Sequence, residues 1–126
     1  MASKMSFKRG DTAIHSFIIP QDIYDKGGTL HFMAKAVPDN DFEDAKAEIS
    51  KTFELTNAKK VDDKAILQLK FNPSDTQNVN FESGETSKEL NGEFELRLDD
   101  GSVYSLPNGD KYIKVTVYAD IRRGGR

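Results

Sequence analysis

The chain has no cysteine and no tryptophan, and only two histidines and four prolines in 126 residues. Without thiols it builds no disulfide scaffold, no thiolate zinc site and no cysteine nucleophile. No apolar run approaches the roughly 20 residues of a membrane-crossing helix, and the start lacks the hydrophobic segment of an export signal. Gly-x-x-x-x-Gly-Lys and Gly-x-Gly-x-x-Gly are both missing, the glycines falling singly or in pairs at turns, so nucleotide binding has no support. A Gly-x-Ser-x-Gly elbow is missing too, and the serines lie in polar turns. Basic residues form no stripe that would neutralise phosphates, which argues against nucleic acid as a partner.

What the chain does have is charge and alternation. Charged residues make up 31% of it, both signs interspersed, with a formal net charge of −3. At this length one domain is expected, large enough to bury about two-thirds of its unfolded surface without metals or disulfides. Residues 10–122 are expected to form that domain. Residues 1–9 read as a flexible segment, with Met5 a candidate start behind a Met1-Ala2-Ser3-Lys4 leader, and 123–126 as a flexible tail or the beginning of a linker.

Short runs of period-2 hydrophobicity recur along the chain. Thr12 to Ile19 reads as a strand closed by Pro20, which has no N–H for a ladder. After the Gly27-Gly28 turn, Leu30, Phe32, Ala34 and Ala36 share one face of a second strand, with His31 and Lys35 on the other. Residues 38–44 are polar and rich in turn formers, so a loop is expected there, followed by a strand face carrying Ile49, Phe53 and Leu55. Leu67, Leu69 and Phe71 alternate with Gln68 and Lys70 before Asn72-Pro73-Ser74 turns the chain. Asp75 to Lys88 is the most polar stretch, anchored by Val79 and Phe81. Phe94, Leu96 and Leu98, and then Ile113, Val115 and Val117, form the apolar faces of a meander around Asp99-Asp100-Gly101. About seven short strands with no long helical periodicity predict an all-β, immunoglobulin-like antiparallel β-sandwich, and a small barrel has the same signature.

Few groups have the makings of chemistry. His15 and His31 both fall within expected strands, where a histidine is a half-exposed pleat residue, whereas catalytic bases favour loops held over a cleft. Asp39, Asp41 and Glu43 alternate like a calcium loop, yet counting from Asp39 places Asp44 where the loop needs glycine and Ser50 where it needs glutamate. The EF-hand reading fails, and a looser calcium site between loops is the residual alternative to a solvated acidic loop. Arg9-Gly10-Asp11 spells an integrin-recognised tripeptide, but it abuts a strand where Gly10 serves as a turn. Most phenylalanines sit on core parity. Tyr112 and Tyr118 share the parity opposite Ile113, Val115 and Val117, and with Lys114 between them they form the candidate protein-contact patch.

Several motifs, in order, are similar to those of an immunoglobulin-like domain found at the ends of tailed-bacteriophage virion proteins, the class that includes the baseplate upper protein N-terminal domain. They are Gly10-Asp11-Thr12, Leu30 to Lys35, Asp44-Ala45 leading into Ile49-Ser50-Lys51, and Leu69 to Thr76 with its Pro-x-Asp-Thr turn. The last are Gly92 to Leu98, Asp100 to Leu106, Gly109 and the close on Asp120-Ile121-Arg122. The chain departs from the pattern at Arg123 and in a longer polar stretch, Gln77 to Glu89. The resemblance implies a non-enzymatic phage structural protein, a docking domain of tail or baseplate assembly, located in the virion after synthesis in the host cytoplasm. It also implies other virion proteins as partners and homo-oligomerisation; from the composition and missing motifs, no cofactor, nucleic acid or membrane is expected. A capsid or head-fibre accessory protein is the alternative within that class, and an adhesion or carbohydrate-binding module at the cell surface the alternative outside it.

Overall fold

A computed structural model of the chain describes residues 4–36, 47–106 and 112–119. It contains nine strands: β1 (Lys4–Lys8), β2 (Ala13–Pro20), β3 (Gly28–Lys35), β4 (Ile49–Glu54), β5 (Lys59–Val61), β6 (Lys64–Phe71), β7 (Ser87–Leu98), β8 (Val103–Leu106) and β9 (Ile113–Tyr118). Two short helices, α1 (Gln21–Lys26) and α2 (Pro73–Thr76), and a 3-10 turn at Leu55–Asn57 complete it.

The strands form two layers. The larger sheet runs β1–β9–β7–β3–β4, and the smaller runs β2–β6–β5. β7 is long enough to take two partners in line along one edge, β9 beside Ser87–Gly92 and β8 beside Phe94–Arg97. With β1 and β8 set aside, the remaining seven strands pair in the order B–E–D against C′–C–F–G, the pairing pattern of an immunoglobulin-type sandwich. The all-β sandwich is therefore present. Two expectations need correcting: among the described residues there are nine strands rather than about seven, and one pair is parallel, β1 with β9.

That parallel pair replaces the flexible reading with a strand at residues 4–8, residues 1–3 lying outside the described residues. Met5 lies opposite Val115 and Phe7 opposite Val117, and both side chains are buried. Lys4-Met5-Ser6-Phe7-Lys8 alternates, but with only two apolar residues and a partner more than 100 positions away it carries little local signal. α1 and the three-residue β5 are likewise too short to leave a periodicity. The 123–126 tail lies outside the described residues.

Between the layers the inward faces meet as the alternation requires. Leu67, Leu69 and Phe71 on β6 face Leu30 and Phe32 on β3, Phe94 and Leu96 on β7, and Val115 and Val117 on β9, all buried. Each fully buried Leu, Ile, Val or Phe contributes about 1.5–3 kcal/mol of transfer free energy. With no tryptophan and no cysteine, this core centres on phenylalanines. Phe71, from the small sheet, lies edge-on to Phe7, Phe32 and Phe53 of the large one, at centroid distances of 4.9, 5.5 and 5.5 Å.

Gly92 makes room for this cluster. A Cβ there would stand 2.8 Å from Val115 Cγ2 and 3.2 Å from Phe32 Cε1, so only a hydrogen fits on the inward face of β7.

The Pro73-Ser74-Asp75-Thr76 turn has a structural role. Asn72 and Asp75 form a reciprocal capping box at the start of α2. Asp75 also accepts from Lys51 Nζ at 2.6 Å, and the buried Thr76 Oγ1 accepts the Gly10 N–H at 2.9 Å. One turn of helix thereby ties the β1–β2 corner to the end of β6 and to β4.

Candidate docking surface

The outward face of the large sheet is built by the residues that the core rejects. On β9 these are Lys114, Thr116 and Tyr118, preceded by Tyr112; Tyr112 is 41% and Tyr118 50% exposed. Register places Lys4 beside Lys114 and Lys8 beside Tyr118, so β1 adds two ammonium groups to the same face. On the other side of β9, Asn91 lies opposite Lys114 and Glu89 opposite Thr116, and Glu89 Oε1 meets Lys114 Nζ at 3.1 Å.

The three predicted contact residues thus share one face, but the tyrosines do not touch. Six residues of extended strand separate them by about 20 Å, one at each end of a stripe with Lys114 between. The stripe has a charge pattern across it. Lys4, Lys8 and Lys114 occupy β1 and β9, while Glu89, Glu93 and Glu95 occupy the neighbouring β7. Glu93 is held above the ordinary carboxylate range, chiefly by desolvation and then by repulsion from Glu95, against a smaller opposing pull from Lys35. Glu95 is engaged by Arg97. A positive column beside a negative one can orient a protein partner, and exposed tyrosines supply contact area at low entropic cost.

The histidines are separated by the large sheet. His15 points inward, edge-on to Phe7 at 5.1 Å and to Phe71 at 6.2 Å, with Nε2 buried and unpartnered. His31 points outward, with Thr52 Oγ1 2.6 Å from Nδ1 and Ser50 Oγ 3.2 Å from Nε2. A serine beside an imidazole is a starting point for nucleophilic chemistry. Ser50 and Thr52 are both exposed side chains on a sheet surface, however, where water competes for each hydrogen bond.

Arg9-Gly10-Asp11 is folded into the β1–β2 corner. Arg9 Nη1 donates to the Val79 carbonyl at 2.8 Å and its guanidinium lies 4.6 Å from the Phe81 ring centre, while Gly10 is buried. An arginine committed to its own fold is poorly placed to project into a receptor. The acidic run Asp39, Asp41, Glu43 and Asp44 lies outside the described residues. Among the described residues, no three His, Asp or Glu side chains converge as metal ligands, and no helix is long and apolar enough to cross a membrane.

Sequence reasoning missed a second exposed apolar surface. Ile14 and Ile18 on β2 are each 60% exposed, with Val61 of β5 at 38%. The signal was available: Ala13-Ile14-His15-Ser16-Phe17-Ile18-Ile19 is apolar on both parities, which a strand with one wet face does not require. At the far end of the large sheet Val103 and Tyr104 of β8 are exposed as well. Comparison of the chain with protein-family models, with curated proteins and with solved structures finds no match.

Proposed function

We propose that this chain is a non-catalytic docking domain, a structural subunit that grips a neighbouring protein through the outward face of its large sheet. The observation that carries the reading is the Tyr112–Lys114–Tyr118 stripe with Lys4 and Lys8 on one side and the β7 glutamates on the other, a patterned face without a core role. The motif order in the sequence supplies the setting: a bacteriophage virion, with tail or baseplate assembly favoured over the capsid. The Pro-x-Asp-Thr and Asp-Gly-Ser-Val segments that carry the resemblance are the ones that build the α2 tie and the β7–β8 hairpin.

Three measurements test this. Gold-labelled antibody raised against the chain should mark the tail end of virions of the encoding phage. Label on the head would favour the capsid alternative, and virions without label would refute the virion role. Particles assembled with a Tyr118→Glu, Lys114→Glu double variant should lack the chain if the stripe docks it. Normal incorporation of that variant would remove the stripe from the interface, and saturable glycan binding by the isolated chain would favour an adhesion module instead.

A further inference from the structure

The smaller sheet has a free edge unlike the others. Among the described residues, sheet edges are guarded in the ways that suppress strand-to-strand pairing. β1 carries Lys4 and Lys8, β4 carries the Lys51–Asp75 pair and Glu54, β5 is three residues long with two lysines, and β8 has only four residues. β2 has eight residues, no charge and, among the described residues, no partner on the side away from β6. Pro20 interrupts its hydrogen-bonding capacity only at the last position.

We infer that β2 pairs with β2 of a second copy of this chain, antiparallel about a two-fold axis at Ser16, joining the two small sheets into one six-stranded sheet. This inference rests on β2 and its surroundings and shares only Lys8 with the face of the large sheet given the docking role.

Two features select a second copy as the occupant. The first is the sequence of the edge. Keeping outward residues on the outward face restricts the register to even offsets. Centring on Ser16 then sets Ile14 against the partner subunit's Ile18, Ser16 against the partner's Ser16, and His15 against the partner's Phe17. A closed two-fold contact needs such self-matching, and the two isoleucines, equally exposed, supply it.

The second is charge. The leading end of β2 is flanked by Lys8 and Arg9 with Asp11, and by Lys70 opposite Ile14. The trailing end runs into α1 with Asp22 and Asp25, and beside it lies the β5–β6 turn with Asp62 and Asp63, fixed there by the Gln21 N–H donating to the Asp63 carbonyl. The cations at that end are Lys59 and Lys60 on β5, level with Ile18 and Ile19, and Lys64, Lys26 being paired with Asp100 at 3.5 Å, so the four aspartates outnumber those three lysines by one. Antiparallel pairing brings the net basic end of each strand to the end of the other where carboxylates hold a small excess, twice. Self-pairing of β1 would instead oppose lysines.

The absence of native cysteine makes the test direct. Sedimentation of the purified chain from micromolar to near-millimolar concentration should show a species of twice 14.1 kDa, shifting toward monomer at high salt. Ile18→Lys should shift it to monomer with an unchanged circular dichroism spectrum, since the side chain is already mostly in water. Ser16→Cys should give a disulfide-linked dimer under mild oxidation, because two cysteines facing across an antiparallel pair lie within bridging range, whereas Ser6→Cys on the large sheet should not. A chain monomeric at every concentration would overturn the inference and leave the edge to another protein's strand. So would a dimer whose Ser16→Cys form does not cross-link, even should Ile18→Lys fail to fold.

Discussion

Replacing Phe71 by alanine is the most searching perturbation of this core, because that one ring meets aromatic rings on three strands of the opposite sheet. It is fully buried on β6, and its edge contacts reach Phe7 on β1, Phe32 on β3 and Phe53 on β4, all in the opposite layer. Truncating a buried phenylalanine costs about 3–5 kcal/mol, and each aromatic pair is worth about 0.5–1.5 kcal/mol beyond the area it buries. With three such pairs lost, about 4 kcal/mol is expected, a large share of the ~5–15 kcal/mol by which such domains are stable. An unfolding entropy of about 2.1 cal/mol/K per residue gives the 126-residue chain roughly 0.26 kcal/mol/K, so the melting temperature should fall by about 15 °C. Urea unfolding followed by tyrosine emission and far-UV circular dichroism measures the free energy, and calorimetry the melting temperature. Phe71→Leu separates the contributions: it keeps most of the apolar volume and loses the ring pairs, so it should cost about half as much. A Phe71→Ala cost under about 1 kcal/mol, or a leucine variant as damaged as the alanine one, would refute the picture of an aromatic bridge.

Three further outcomes follow from the same coordinates. Gly92→Ala should cost about 1–2 kcal/mol through contact with Val115 and Phe32, and adding Val115→Ala should show coupling in a double-mutant cycle; strict additivity would argue against the clash. Thr76→Val should cost about 1–3 kcal/mol and speed hydrogen exchange at Gly10, whose N–H loses its acceptor, while Thr76→Ser should keep the amide protected. Glu93 has a raised pKa, so its ionised form is disfavoured by the fold: the penalty is absent below the ordinary carboxylate value, where folded and unfolded chains are both protonated, and it develops as pH rises through the folded value. Glu93→Gln should therefore stabilise by a few tenths of a kcal/mol at pH 7 after solvent screening, with no gain near pH 3; a gain that persists in acid would contradict the assignment.

The strands that could be read in advance are those whose pattern is local. Leu67-x-Leu69-x-Phe71, Phe94-x-Leu96-x-Leu98 and Ile113-x-Val115-x-Val117 alternate strictly, and all nine side chains are buried. Of the Gly27-Gly28 pair, Gly27 links α1 to β3 at a φ of +76°, where a side chain would be strained, and Gly28 opens β3. β7 extends seven residues earlier than its apolar run from Phe94, because Ser87, Lys88 and Glu89 gain a strand conformation from pairing with β9 and not from any preference of their own. The outward placement of Tyr112, Lys114 and Tyr118 was legible from parity. The lysines that surround them were not, since Lys4 and Lys8 arrive on a strand paired from the other end of the chain.

The amino-acid sequence by itself determined the class of this protein: alternation with period 2 forces one face of each strand inward, and turn formers between the runs stop them from merging. It also determined the lack of thiol chemistry and the tyrosine-bearing parity of β9. Only the tertiary structure decided which strands become neighbours. It bent residues 4–8 onto β9 in parallel, committed Arg9 to Val79 and Phe81, parted the two imidazoles by a sheet, and left β2 as the long uncharged edge. The physical reason is one of range. Side-chain parity is a property of adjacent residues, whereas strand order, edge exposure and the company a charge keeps depend on contacts between residues far apart in the chain, which alternation does not encode.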